Sequence, residues 1–332
     1  MEQRTAIRAA LEGRRPRRVG RGYTALRWGG ALVFVAIAVS FLVSLLWQAA
    51  PAFGHSGFGF IFSGTWNPAD EQFGAAVFIV DTLITTGLAL LIAVPVGIGT
   101  AVALSELLPG RLAGPLSVAI DLLAAVPSIV VGLWGLLVLV PLFDQHVGPF
   151  FAGVPVLKSL FGGPDLGTGI LLASVVLAVM ILPTMVSLTR TALRGVSVAD
   201  REAAVALGGT KWQVVRKAVI PGARSGIEAA VSLAMGRALG EAIAVSLVIG
   251  GGESYPHSLL ANGTTLGSAV INDFSEAVGL QRSAVIALVV VLVAFTTLAN
   301  VGGQYLLRQR STVPWRRRLA ARFGREGDVV RT

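Results

Sequence analysis

The 332-residue chain is 54% hydrophobic and only 14% charged, with a mean hydropathy of +0.75 and a net charge of +9. Such a balance excludes an ordinary soluble globular domain and marks an integral membrane protein. The chain has no cysteine, which excludes disulfide frameworks, thiol catalysis and cysteine-based metal centres.

Residues 1–27 form a polar arm with eight arginines between Arg4 and Arg27. Six apolar runs follow, near 28–48, 75–105, 113–143, 167–189, 225–250 and 283–307, each meeting the roughly 20 residues that a helical crossing needs. The first lacks a small-residue cleavage site before Trp47 and Gln48, so it is expected to stay as an anchor. The segment 49–74 is external and aromatic, with Phe53, Phe58, Phe60, Phe62, Trp66 and Phe73. Rings beside a membrane settle at the headgroup level. Pro95, Pro127 and Pro183 fall inside the second, third and fourth runs. Helices interrupted in this way are expected to break or tilt where they line a cavity. The loop 144–166 is rich in Gly and Pro. The loop 251–282 holds Thr264-Thr265-Leu266-Gly267-Ser268 and apolar residues up to Phe274, which suits a segment that re-enters or caps the outer mouth. A basic tail, 308–332, closes the chain. The predicted architecture is all-α, with six transmembrane helices and a core domain over 75–307.

Positive charge is sorted by side. The segment 190–217 carries Arg190, Arg194, Arg201, Lys211, Arg216 and Lys217, and eight arginines lie between Arg308 and Arg331. By contrast 49–74 has no Lys or Arg, 144–166 has only Lys158 and 251–282 only Arg282. An excess of Lys and Arg marks cytoplasmic loops, which puts both termini and 190–217 in the cytoplasm. The tails then hold to anionic membrane lipid, and nucleic acid is not an expected partner. His55, His146 and His257 sit in external loops without ligand spacing, so neither a metal nor a cofactor is expected. No G-x-x-x-x-G-K-[ST] frame occurs, so any ATP is hydrolysed by another chain and this one is not itself an enzyme.

Five charges fall in or at the ends of the runs: Asp81, Asp121, Glu228, Arg237 and Glu241. A central charge costs about 2.5–3.5 kcal/mol on insertion scales and is expected to face the bundle interior. Arg237 is the deepest cation, about 15 Å along the fifth run at 1.5 Å per residue. Glu241 follows at the i+4 position, on the same face of a continuous helix. The Arg237 fork suits a transient oxyanion, with Glu241 tempering the positive field so that the ion can leave. A buried structural pair is the plainer alternative. Asp121 is read as structural, pairing across helices, and Asp81 as solvated near the outer end of the second run.

The segment Asp200 to Lys217 mixes helix formers with basic residues, and Gly208 near its middle suits a sharp turn between two short helices. Glu202, Ala203, Ala204, Gly208 and Pro221 fall at the spacing E-A-A, three residues, G, nine residues, I-x-L-P, with Ala218 and Ile220 as conservative replacements. This frame resembles the "EAA" loop of permease subunits in bacterial ABC importers. The resemblance implies a coupling loop, here 190–221, whose helix docks into a groove of the ATPase subunit.

Further stretches sharpen the resemblance. Ala125-Val126-Pro127-Ser128-Ile129-Val130-Val131-Gly132, Gly236-Arg237-Ala238-Leu239-Gly240-Glu241-Ala242 and Thr265-Leu266-Gly267-Ser268-Ala269 look like the phosphate-specific ABC permeases, as do Phe78 to Asp81 and Leu104-Ser105-Glu106. The likeness covers about residues 60–307. Trp66-x-Pro68 and Phe73-Gly74 suggest the PstC-type subunit. That family implies a second, PstA-type permease, two ATP-binding subunits, an extracytoplasmic phosphate-binding protein, and a place in the bacterial cell membrane. The chain departs from the family at Gly251, where Asn is usual. The rival readings are a permease for molybdate or sulfate, a secondary transporter or channel working alone, and a membrane anchor for a signalling complex.

Overall fold

The computed structural model describes residues 21–152, 161 and 167–311. The arm up to residue 20, the tail from residue 312 and much of the 144–166 loop lie outside them. The chain divides into two units at Gln48/Ala49. The described part of the first is Arg21–Gln48 of helix α1, Arg21–Ser56, whose last turns belong to the second unit. Leu32, Phe34, Ile37 and Phe41 are exposed along it, as a helix that is apolar all round requires when lipid is its solvent.

The second unit opens with the single turn α2, Gly59–Phe62, and a small hairpin that pairs β1, Trp66–Asn67, with β2, Gln72–Phe73. Asn67 shapes the turn by accepting the Ala69 N–H at 3.1 Å, and Glu71 closes it at φ +52°. The Trp66 ring lies 5.1 Å from both Phe73 and Phe78, edge to face. The aromatic segment is thus split: Trp66 and Phe73 are buried, whereas Phe58 and Phe62 stand exposed.

Helix α3, Ala76–Val102, continues as a π-helical turn, Ala103–Leu107, and stops before Pro109. Then come α4, Gly110–Ala124, and α5, which begins as Ser128–Trp134 and runs through π-helical turns to residue 152. The long α6, Ile170–Arg194, leads to α7, Val198–Ala206, and α8, which begins as Lys211–Val214 and reaches residue 222. The last elements are α9, Arg224–Gly240; α10, Ile243–Ser246; α11, Leu266–Asp273; and α12, Gly279–Ser311.

Five stretches among the described residues are long and apolar enough to cross a bilayer: Ala25–Ser56, Ala76–Leu107, Ser128–Phe150, Ile170–Arg194 and Gly279–Gly303. The fifth predicted run, 225–250, is not one continuous span. Its 17-residue helix α9 stops at Gly240 and extends about 25 Å at 1.5 Å per residue. The third run, 113–143, is divided at Ala125 to Pro127 into α4 and α5. Of the three prolines expected to interrupt helices only Pro127 does so; Pro95 and Pro183 lie inside unbroken α3 and α6. The surrounding bundle holds those two helices together despite each missing N–H.

The core lies where α3, α6 and α9 meet. Ala89 and Ala93 pack with Leu177, Ile181 and Met185 and with Ala230, Ala234 and Ala238. Small residues set the helix spacing. A Cβ at Gly97 would fall 2.9 Å from Met185, one at Gly132 2.8 Å from Ala244, and one at Gly236 2.7 Å from Asn300 of α12. The 251–282 loop folds into this bundle: Gly251 and Gly252 donate to the Gly263 carbonyl, and Ile170 donates to that of Ala261. Gly251 has φ +82° with open space around it, a left-handed conformation that asparagine also tolerates. The turn at this position therefore accepts either glycine or asparagine.

Candidate functional site

Arg237 sits in the last turn of α9, half-buried, where a cation meets the negative end of the helix dipole. Its Nη1 donates to Thr184 Oγ1 of α6 at 3.1 Å. Neither the Arg201–Glu106 nor the Arg224–Glu228 ion pair involves Arg237, which has no carboxylate within ion-pair distance among the described residues. The expected i+4 geometry with Glu241 does not exist. The helix ends at Gly240, and Glu241 is extended at φ −76° and ψ 122°. There its Oε1 accepts the Ala244 N–H at 3.4 Å, capping α10 rather than facing Arg237. A buried Arg237–Glu241 pair, the plainer alternative, is accordingly not what the structure holds. What it holds is a broken helix with a cation just before the break and a carboxylate just after it, the backbone form that membrane proteins tolerate where it is enclosed by protein or lines a cavity. Arg237 lines a small cavity of about 10 Å³, with Val131 of α5 and Val179 and Met180 of α6.

The other acidic residues also differ from their sequence reading. Asp81 is fully buried rather than solvated. Its Oδ2 accepts the Thr264 N–H at 2.7 Å, and the neighbouring Thr82 hydroxyl accepts the Leu266 N–H at 3.0 Å. Together they fasten the start of α11 to α3. Asp121 is exposed and makes none of the ion pairs among the described residues, so the expected cross-helix pairing does not occur. Glu228 pairs with Arg224 at 2.7 Å along one helix face.

At the other end of the bundle the segment 190–221 is ordered throughout. Ser197 caps α7 by accepting the Asp200 N–H at 3.1 Å, and Thr210 and Gln213 form a capping box that starts α8. Between the two helices Gly208 has φ +79° with nothing within 4 Å, so the turn needs glycine for its backbone alone. Glu202 and Ala203 are exposed on α7, whereas Ala204 packs toward Val196, Val214 and Val219. Pro221 lies exposed in the last turn of α8. Leu207 is 87% exposed and Val205 60%, so this two-helix unit presents apolar side chains beside Glu202 that none of the described residues covers. The sequence reading missed what holds the unit in place: Arg201, counted only as a topology charge, grips Glu106 and the Leu193 carbonyl. A lone carboxylate ending an apolar run was the available cue. The role of Thr184 as the Arg237 acceptor left no such cue.

Residues 93–311 match the family described as binding-protein-dependent transport system inner membrane component. The phosphate transport system permease protein PstC of Haemophilus influenzae is 42% identical over 277 residues, covering 81% of this chain and 87% of that protein. PstC of Mesorhizobium japonicum is 44% identical, covering 79% and 80%. PstC 1 of Mycobacterium tuberculosis is 36% identical over 323 residues, covering 88% and 95%. The fold resembles a chain of a bacterial alginate ABC transporter, with TM-score 0.60 at 14% identity over 86% of this chain and 95% of that one. It also resembles one of the MetNI methionine ABC transporter in an inward-facing conformation, with TM-score 0.53 at 20% identity over 69% and 93%. The membrane-crossing helices, the fold and these relatives agree: the chain is a multi-pass membrane protein that belongs to the binding-protein-dependent transport system inner membrane component family, and within it to the PstC permeases.

Proposed function

We propose that the chain conducts inorganic phosphate across the bacterial cell membrane as one of two permease subunits of an ATP-driven importer. The observation that carries this reading is Arg237, a cation with no carboxylate partner among the described residues, which lines a small cavity of about 10 Å³ at a helix break within the bundle. A guanidinium placed there binds an oxyanion by its fork and releases it when the seam rearranges. Glu241, just beyond the break, lowers the local positive potential. The PstC relatives support phosphate as the anion. The exposed Glu202, the Gly208 turn and the apolar Val205 and Leu207 support a cytoplasmic docking face for a separate ATPase. On this reading a second permease completes the pathway, two ATP-binding subunits drive it and an extracytoplasmic binding protein delivers phosphate, with both termini in the cytoplasm. ATP-dependent uptake of radiolabelled phosphate by the complex reconstituted in vesicles is the test. Uptake of molybdate or sulfate in its place would transfer the reading to another oxyanion, and uptake without the ATPase would point to a transporter acting alone.

A further inference from the structure

A cleft of about 250 Å³ lies between α4, α6 and α9. Asp121 of α4 and Thr184 and Ser187 of α6 supply its polar side chains, against Leu188 and Leu233. Thr184 is also the acceptor of the Arg237 hydrogen bond at 3.1 Å. Arg237 in turn lines a second, much smaller cavity of about 10 Å³ with Leu123 at the end of α4, Val126 just beyond that end, and Met180, one turn from Thr184 on α6. Leu233 and Arg237 are likewise one turn apart on α9. The two cavities therefore follow one seam, with a cation at one level and a carboxylate at the next.

A carboxylate is a poor neighbour for an anion unless the anion brings a proton. Phosphate does so: near neutral pH both of its forms keep at least one O–H. Sulfate and phosphodiesters keep none. An ionised carboxylate only accepts hydrogen bonds, so facing an O–H it forms a short charge-assisted bond, and facing a bare oxygen it meets repulsion alone. Asp121 is free for this task, because it makes none of the ion pairs among the described residues.

We propose that Asp121 is a specificity-determining residue: it accepts the O–H of a protonated oxyanion in this cleft, while Thr184 and Ser187 donate to the remaining oxygens and Arg237, bonded to Thr184, offsets the anion's charge. No proton is transferred; the hydrogen bond alone sorts anions. The inference rests on the phosphate reading above and deepens it. Sites built to hydrogen-bond a substrate hydroxyl reject analogues lacking it far more strongly than apolar pockets reject a missing methylene.

The absence of native cysteine makes the cleft directly testable. Ala124 lines it without a polar role, so Ala124→Cys serves as reporter in the complex with its partner permease and ATPase. The measurement is the rate of modification by a small methanethiosulfonate. Phosphate and arsenate should slow it at concentrations at least tenfold below those of sulfate or dimethyl phosphate at equal ionic strength. Adding Asp121→Asn should close that gap, and Asp121→Glu should keep it. The dimethyl phosphate comparison needs no substitution at Asp121 and so holds even if Asp121→Asn does not assemble. Equal protection by phosphate and dimethyl phosphate, or a gap unchanged in Asp121→Asn, overturns the proposal. ATP-driven phosphate uptake without protection by phosphate overturns the assignment of Asp121 alone, whereas loss of both removes the phosphate reading with it.

Discussion

Arg201 grips Glu106 with both arms of its guanidinium, Nη1 to Oε2 at 2.6 Å and Nη2 to Oε1 at 3.1 Å, and Nη2 also donates to the Leu193 carbonyl at 2.7 Å. One side chain on α7 is thereby bonded to the ends of both α3 and α6. Lys211 Nζ adds a contact to the Leu107 carbonyl at 3.5 Å. Beneath these bonds Val102 and Leu104 pack with Leu193, Val214 and Val219. The two-helix unit is therefore fastened to α3 and α6 by both polar and apolar contacts, and α6 is the helix that carries Thr184 beside Arg237. A displacement of α7 is expected to reach the seam through α6.

The first prediction tests that linkage. Arg201→Lys keeps the charge but loses the fork and the Leu193 bond, and Glu106→Gln loses the charge. Each should destabilise by about 1.5–3 kcal/mol, the range for hydrogen bonds to charged groups. More telling is the ratio of ATP hydrolysed to phosphate taken up by the reconstituted complex, which should rise in both variants while the complex stays assembled. The exchange Glu106→Arg with Arg201→Glu should return part of the coupling. An unchanged ratio in all three variants would leave the pair with a purely structural role.

A second prediction concerns the face that α7 presents. Glu202→Lys reverses a charge on an exposed helix, and Gly208→Trp places a bulky side chain at φ +79°, a conformation that costs an L residue about 1–2 kcal/mol. Both variants should reach the membrane and keep their fold, yet lose the ATPase in copurification. Retention of the ATPase with normal uptake would show that docking occurs elsewhere.

The two-helix unit was legible because its signals are local: helix formers between Asp200 and Lys217, Gly208 as the turn and a fixed motif spacing over 202–221. Apolar runs were equally plain, since length and hydropathy alone define a crossing. The breaks were not. Pro127 ends a helix while Pro95 and Pro183 do not, a difference set by what packs around each one. The stop at Gly240 carries no proline, so Glu241 was placed on a helical face that does not continue. The burial of Asp81 and the grip of Arg201 on Glu106 join residues far apart in sequence, and charge counting along the chain assigns partners to neither.

Topology gives a third prediction. Ala69 and Ser254 are exposed in the segments expected outside, and Ala206 is exposed at the end of α7, expected inside. Single cysteines at Ala69 and Ser254 should react with an impermeant maleimide added to intact cells, and one at Ala206 only in inverted membranes. Ser258, though in the same loop, is 6% exposed and is a poor reporter. Reaction of Ala206→Cys in intact cells would invert the assignment.

A fourth prediction follows from the acidic residues beside α11. Burial, followed by the nearby charge of Asp273, raises the pKa of Glu253 above the ordinary carboxylate value; burial, followed by the charge of Glu276, raises that of Asp273. An acid whose folded pKa lies above its unfolded one makes the folded state bind more protons. Its contribution is then most favourable at low pH and declines as pH rises through the unfolded and then the folded value. Amide exchange over 250–278 should therefore quicken as pH rises from acid to neutral, after correction for the intrinsic rate. Asp273→Asn should slow exchange at pH 7 and have little effect at pH 4. Faster exchange in Asp273→Asn at pH 7 would contradict the assigned direction.

The last prediction separates a pathway role for Arg237 from a structural one. Its hydrogen bond goes to Thr184, and Glu241 is occupied with the Ala244 N–H beyond the helix end. Neither charge is therefore the other's partner, and removing both cannot restore a balance that the fold does not contain. Arg237→Gln should lower uptake by two orders of magnitude or more, about 2.7 kcal/mol at 1.36 kcal/mol per tenfold change, with assembly intact because glutamine can still donate to Thr184. Glu241→Gln should slow release of the anion, which appears as a lower maximal rate with tighter apparent affinity. The double variant should be as inactive as Arg237→Gln alone. Recovery of near-normal uptake once both charges are gone would mean that the pair serves the fold, and the oxyanion would then have to be held by other groups of the seam.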